Sequence, residues 1–257
     1  MFTALFPVLL ATAVFARPSP GLEARLTRRR SGLKIPSNGP DNLVTNITNA
    51  EFSSNWAGAA FESPAGTFQA VTGTFTVPTP KAPSGGSGSF AASAWVGIDG
   101  DTCGTAILQT GLDFTVTNGR VSYDAWFEYF PAFATDFSGI TISAGNQIRL
   151  TATVSTATSG TVKIENLSTG VTVSKSLTSS AKLCQENAEW IVEDFEEGSS
   201  LVPFANFGTV TFSNAVATMV SGATTGPSGA VIIDLEQNNQ VLTSVSTSSS
   251  SVTVEYL

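Results

Sequence analysis

The chain has 257 residues, with 12 lysines and arginines against 20 aspartates and glutamates, a net charge of −8, and no histidine. Without histidine there is no Ser-His-Asp or Cys-His machinery and no His-ligated zinc. Only 12% of the residues are charged, so Ser, Thr, Asn and Gly must cover most of the surface.

Residues 1–16 read MFTALFPVLLATAVFA, an apolar core ending in Val14-Phe15-Ala16, which predicts a signal peptide and export to the extracellular medium. A membrane-spanning helix would need roughly 20 apolar residues, and Arg17-Pro18 interrupts at once. No later stretch is long and apolar enough to cross a bilayer, so no membrane partner is expected.

Residues 17–50 hold six of the twelve basic residues (Arg17, Arg25, Arg28, Arg29, Arg30 and Lys34) and two acids, Glu23 and Asp41. The run Arg28-Arg29-Arg30 is a candidate processing site. The segment is expected to be a removable pro-segment, with a basic arm that stays attached as the alternative. Nucleic-acid binding is not expected of an exported chain that sheds these residues.

From Glu51 to Leu257 there remain 18 acids and 6 bases, a net charge of −12. Such a domain repels itself less as its carboxylates protonate, and it has no histidine to charge, which suits an acidic medium. These 207 residues can form one sizeable core. In an oxidising compartment Cys103 and Cys184 would pair, closing a loop of about 80 residues; two free buried thiols are the alternative. Asn46-Ile47-Thr48 and Asn166-Leu167-Ser168 are N-glycosylation sequons.

Apolar residues alternate with Thr and Ser over short runs, as in Gly73–Val77, Ile148–Val154, Gly160–Ile164, Val171–Val173 and Ser251–Val254. Gly, Asn, Ser and Pro punctuate them, which predicts an all-β sandwich or barrel of antiparallel strands. Pro83–Ser89 reads as a flexible loop, and Ser244–Ser251 as part of a hairpin rather than a tail.

No P-loop, Rossmann glycine fingerprint or pepsin-type Asp-Thr-Gly motif is present, which leaves carboxylate pairs, or a carboxylate with an amide, for hydrolysis. Strand alternation sorts four segments into faces. One face each is expected to carry Trp95 with Asp99; Gln109 with Asp113; Asp124, Trp126, Glu128 and Phe130; and Glu189, Ile191, Glu193 and Phe195. Carboxylates beside aromatics are unfavourable to bury, so these faces read as the floor of a cleft or as a solvated surface.

Five co-linear segments then resemble the glutamic peptidases (eqolisins) of filamentous fungi: Ser53–Gly58, Ala94–Cys103, Thr105–Gly111, Tyr123–Trp126 and Asn187–Phe195. The resemblance runs from about Ser53 to the C-terminus and thins after Gly208. It implies a sandwich of two antiparallel sheets, lectin or jelly-roll-like, with the active site on a concave sheet face. Residues 51–257 would be the catalytic domain, acting on proteins in acid. The family's catalytic glutamine falls on Gln109 and its glutamate on Glu193. Trp56, Trp95, Asp99, Asp113, Asp124, Glu128 and Phe195 match positions that line or support the substrate cleft, and Cys103 and Cys184 match a bridged pair.

Those roles suit the side chains. Glu193 as carboxylate would take a proton from water and return it to the leaving nitrogen, while the Gln109 amide would donate to the oxyanion. No metal or cofactor is expected, the partners would be protein and peptide substrates, and the enzyme should act as a monomer. Two departures stand out: Gly104 replaces an expected larger polar residue, and Phe130 an aromatic with a hydroxyl. The rival is a carbohydrate-active or carbohydrate-binding sandwich using two of Glu128, Glu189 and Glu193.

Overall fold

A computed structural model describes residues 29–39 and 50–257. The expected signal peptide, Arg28 and the Asn46 sequon lie outside the described residues. The principal strands are β1 (Ala50–Ser53), β2 (Trp56–Glu62), β3 (Phe68–Thr76), β4 (Ser89–Ile98), β5 (Ile107–Thr117), β6 (Arg120–Phe130) and β7 (Gln147–Thr156). They continue as β8 (Ser159–Asn166), β9 (Val171–Thr178), β10 (Asn187–Glu193), β11 (Thr209–Met219), β12 (Val231–Gln237), β13 (Thr243–Thr247) and β14 (Ser251–Tyr256). No helix occurs among the described residues.

One sheet has the order β9-β8-β7-β3-β11-β14-β13. The other runs from Pro36–Ser37 through β1-β12-β2-β10-β4-β5-β6 to Thr135–Asp136. The sandwich is thus the expected one, with β13 and β14 forming the predicted C-terminal hairpin. It departs from a wholly antiparallel arrangement in one pairing among the described strands, the parallel contact of β12 with β1.

Period-two alternation builds the core. Val96 and Ile98 of β4, Leu108, Leu112 and Phe114 of β5, and Trp190 and Val192 of β10 point into the space between the sheets. There they meet Phe75, Ile148, Leu150, Ile164, Phe212 and Val254 of the facing sheet. The alternate residues of the same strands face away from the second sheet, and Trp56, Trp95, Trp126 and Ile191 form a separate apolar cluster there. Gln109, Asp113, Glu128 and Glu193 lie on this outer face. Cys103 and Cys184 form a disulfide across 81 residues of chain, joining the loops before β5 and β10.

Candidate active site

Cross-strand register sets the outer face out in three rows. The first runs Trp56, Glu193, Ser93, Asp113, Asp124 across β2-β10-β4-β5-β6. The second runs Gly58, Ile191, Trp95, Gly111, Trp126, and the third Ala60, Glu189, Gly97, Gln109, Glu128. Glu193 and Gln109 therefore stand at opposite corners of a patch whose centre is the Trp95 indole. Two glycines leave room for it. A Cβ on Gly111 would lie 2.5 Å from the Trp95 Cβ and 2.8 Å from the Trp126 ring. On Gly97 it would lie 2.8 Å from the Trp95 ring and 3.0 Å from Glu189 Oε1.

Hydrogen bonds then fix the side chains. Trp95 Nε1 donates to Glu193 Oε2 at 2.9 Å, and Trp56 packs edge-on against Trp95 with ring centroids 4.9 Å apart. Trp126 Nε1 donates to Ser93 Oγ at 3.2 Å. Burial pushes the Glu193 carboxyl up to about 7, against the opposing pull of its Ser31 hydrogen bond and the Arg29 charge. Burial also holds Glu128 and Glu189 well above the usual carboxylate range. Both Glu189 oxygens are buried without a hydrogen-bond partner among the described residues, as is Gln109 Oε1.

Residues 29–32 of the basic segment lie across this patch and residues 33–39 run on to the edge of the same sheet, so this stretch is not an arm free of the fold. Arg29, 5% exposed, makes a forked pair with Asp113, Nε to Oδ2 at 2.6 Å and Nη2 to Oδ1 at 2.7 Å. Its Nη2 also donates to Ser93 Oγ at 3.1 Å, and its Nη1 lies 3.7 Å from Glu128 Oε2. The guanidinium sits 3.9 Å over Trp126 and 4.7 Å from the Phe195 ring. Ser31 N donates to Glu128 Oε2 at 3.0 Å, and Ser31 Oγ to Glu193 Oε2 at 2.5 Å. Gly32 N donates to Glu193 Oε1 at 3.0 Å, and Gln109 Nε2 to the Ser31 carbonyl at 3.2 Å.

Beyond Gly32, Lys34 Nζ pairs with Glu51 at 2.5 Å and with Asp101. Asn55 accepts from Ile35 N at 2.8 Å and donates to the Leu33 carbonyl at 3.0 Å. Pro36–Ser37 then add to β1 as an edge strand.

Among the residues singled out from sequence, Trp56, Trp95, Gln109, Asp113, Glu128, Glu193 and Phe195 come together around Arg29–Gly32, and Asp124 lines a small cavity beside Arg29 and Asp113. Asp99 does not join them. β4 ends at Ile98, and Asp99 takes a positive φ of 71°, so alternation with Trp95 fails there. Its carboxylate accepts from the backbone N–H groups of Gln185, Glu186 and Asn187 and fixes the turn that leads into β10. Ser93, which joins Arg29 to Trp126, escaped sequence reasoning because a serine in a Ser/Thr-rich chain carries no signal.

This face of carboxylates, indoles and one amide, with no histidine, thus holds a peptide segment of the chain itself. The Peptidase A4 family model matches residues 54–256, and the chain belongs to that family; it is a glutamic endopeptidase. It is 47% identical over 281 residues to aspergillopepsin-2 of Aspergillus niger, covering 99% of each chain. It is 43% identical over 263 residues to scytalidopepsin B of Scytalidium lignicola, covering 96% of each. Among solved structures, scytalido-glutamic peptidase with a transition state analog inhibitor superposes with a TM-score of 0.72 at 45% identity, over 79% of this chain and 98% of that one. Aspergilloglutamic peptidase from Aspergillus niger gives 0.64 at 55% identity, over 65% and 99%.

Proposed function

We propose that the chain is a secreted acid endopeptidase, made with a signal peptide (residues 1–16) and a pro-segment (residues 17–50) ahead of the catalytic domain (residues 51–257). Glu193 is its general base and acid, and Gln109 is its oxyanion donor. The observation that carries this is the seating of one peptide unit. Gln109 Nε2 meets the Ser31 carbonyl oxygen, and Glu193 Oε1 meets the adjoining Gly32 nitrogen. In a substrate placed likewise, Glu193 takes a proton from water as its oxygen attacks the carbonyl carbon. Gln109 donates to the oxygen as it becomes negative, an interaction that strengthens in the transition state. Protonated Glu193 then supplies the leaving amine. Trp95, through its bond to Glu193 Oε2, holds the carboxyl in place.

Asp113, Glu128, Trp126 and Phe195 bind what precedes the cleaved bond, as they bind Arg29. A carbohydrate-directed use of the same carboxylates has no corresponding support, since the ligand seated here is a peptide. The test is hydrolysis of a denatured protein in acid by wild type, Glu193→Gln and Gln109→Ala, with the pro-segment removed from each. Gln109→Ala should lose about 10²–10³-fold in kcat and Glu193→Gln nearly all activity. Turnover surviving in Glu193→Gln would refute the mechanism.

A further inference from the structure

Glu193 stands at the end of its strand. It is the last residue of β10 and pairs with Trp56, the first residue of β2. A ladder holds its end residues from one side only, and strand ends open more readily than strand centres. A carboxyl that must meet water and a carbonyl carbon at fixed distances therefore needs a hold beyond the ladder.

The next residue supplies one. Asp194 N donates to the Asn55 carbonyl at 2.8 Å, and Asp194 Oδ2 accepts from Gln237 Nε2 at 2.7 Å. The same Gln237 nitrogen donates its other proton to the Ser54 carbonyl at 2.8 Å. Ser53 Oγ completes the turn, accepting from Asn55 N at 3.3 Å and Trp56 N at 3.1 Å. Gln237 reaches this turn because β12 runs parallel to β1. Leu235 pairs with Ser53, and the strand continues two residues further in the same direction as the chain entering the turn.

Asp194 lies between two residues of the site, Glu193 and Phe195, yet its own side chain lines a different pocket with Ser54, Glu236 and Gln237. It is 1% exposed, and its Oδ1 has no hydrogen-bond partner among the described residues. Burial pushes its carboxyl up to about 8, against the pull of the Gln237 hydrogen bond and with the Glu193 charge adding to the rise. In acid it is thus a neutral carboxylic acid, with Oδ2 accepting and Oδ1 carrying the proton. An ionised Asp194 would set a second negative charge beside Glu193 and oppose its ionisation. The neutral acid gives Gln237 an acceptor without that charge.

We propose that Asp194 and Gln237 are a positioning pair for Glu193. The Gln237 amide, shared between the Asp194 carboxyl and the Ser54 carbonyl, locks the end of β10 to the turn before Trp56 and fixes where the Glu193 carboxyl stands. The inference rests on the Glu193 role above.

The processed enzyme is assayed in acid on a peptide substrate, with kcat and KM read separately and referred to the folded fraction by near-ultraviolet circular dichroism. Gln237→Met fills the space without a donor and should lower kcat about 10²-fold, with KM moving less than about threefold. Asp194→Ala should do the same. Asp194→Asn, an uncharged acceptor of the same shape, should recover kcat to within about threefold of wild type. Gln237→Glu disturbs the packing least and in acid keeps one donor for two acceptors, so its kcat should fall between. Wild-type kcat in Gln237→Met or Gln237→Glu, a loss that falls in KM instead, or an Asp194→Asn enzyme as slow as Asp194→Ala would overturn the proposal. Glu193→Gln, run beside them, separates the two readings. An inactive Glu193→Gln beside an unimpaired Gln237→Met removes the positioning pair alone, whereas turnover in Glu193→Gln removes the role on which the pair depends.

Discussion

Arg29 is the most deeply committed contact of the bound segment, so its removal has the most calculable effect. Its guanidinium is forked onto Asp113 and close to Glu128, with both ion pairs buried. Burial alone would lower its pKa, but the Asp113 and Glu128 charges more than offset this and leave it raised. Truncation to alanine strands two buried carboxyls, and breaking a buried pair on one side costs about 3–5 kcal/mol. Loss of the contact over Trp126, at 3.9 Å, adds about 0.5–2 kcal/mol. At about 1.4 kcal/mol per decade, the ion pairs alone predict that a peptide of residues 29–39 inhibits the processed enzyme about two to three and a half decades less well when Arg29 is alanine. The assay is competitive inhibition of the processed enzyme at one fixed acidic pH, with the parent and Arg29→Ala peptides run side by side. Arg29→Lys should fall between, since one ammonium cannot satisfy both Asp113 oxygens in the fork. An Arg29→Ala peptide within about threefold of the parent, well short of one decade, would refute the claim that this ion pair carries the grip.

Three further outcomes follow from the same geometry. Burial pushes Glu193 up to about 7 against the lowering pull of the Ser31 hydrogen bond and the Arg29 charge, so its contribution to the stability of the folded chain is present in acid and fades as pH rises through about 7. Removing the segment rehydrates the carboxyl, and the acidic limb of kcat/KM for the processed enzyme should fall well below 7. Glu189 is raised by burial first and by Asp101 and Asp99 next, so its burial favours the fold in acid and opposes it as pH rises above the ordinary glutamate range. Glu189→Gln should leave Tm nearly unchanged in strong acid and raise it at neutral pH. Replacing Cys103 and Cys184 with serine reopens a link across 81 residues and should cost about 2–5 kcal/mol by denaturant titration.

The fold was legible wherever one face of a strand met the core. Ile148, Leu150, Ala152 and Val154 alternate with partly exposed Arg149, Thr151 and Thr153, and β7 spans that run. The site was legible less directly. Alternation put Gln109 with Asp113 and Glu189 with Glu193 on common faces, which register between neighbouring strands then made one surface. Alternation could not foresee where a strand stops, and this is why Asp99 was grouped with Trp95 and lies elsewhere. Nor could it foresee the partner of the acidic face. The basic run reads as composition, and only the fold shows Arg29 reaching Asp113 across 84 residues of sequence.

That long-range pairing explains a feature that would otherwise be anomalous. Asp113, Glu128 and Glu193 are nearly sequestered from solvent in the described chain, and carboxylates so placed without cations would oppose folding. With residues 29–34 in place, Arg29 answers Asp113 and Glu128, Ser31 and Gly32 answer Glu193, and Lys34 answers Asp101. The segment thus supplies the hydrogen bonds and charge that offset the burial of these carboxyls. On the proposed mechanism, the contacts that stabilise the closed chain are the contacts a substrate must reproduce. Neutralising Asp113 would leave the Arg29 guanidinium buried without its forked partner, so it weakens the closed chain as well as the seat for a cationic side chain.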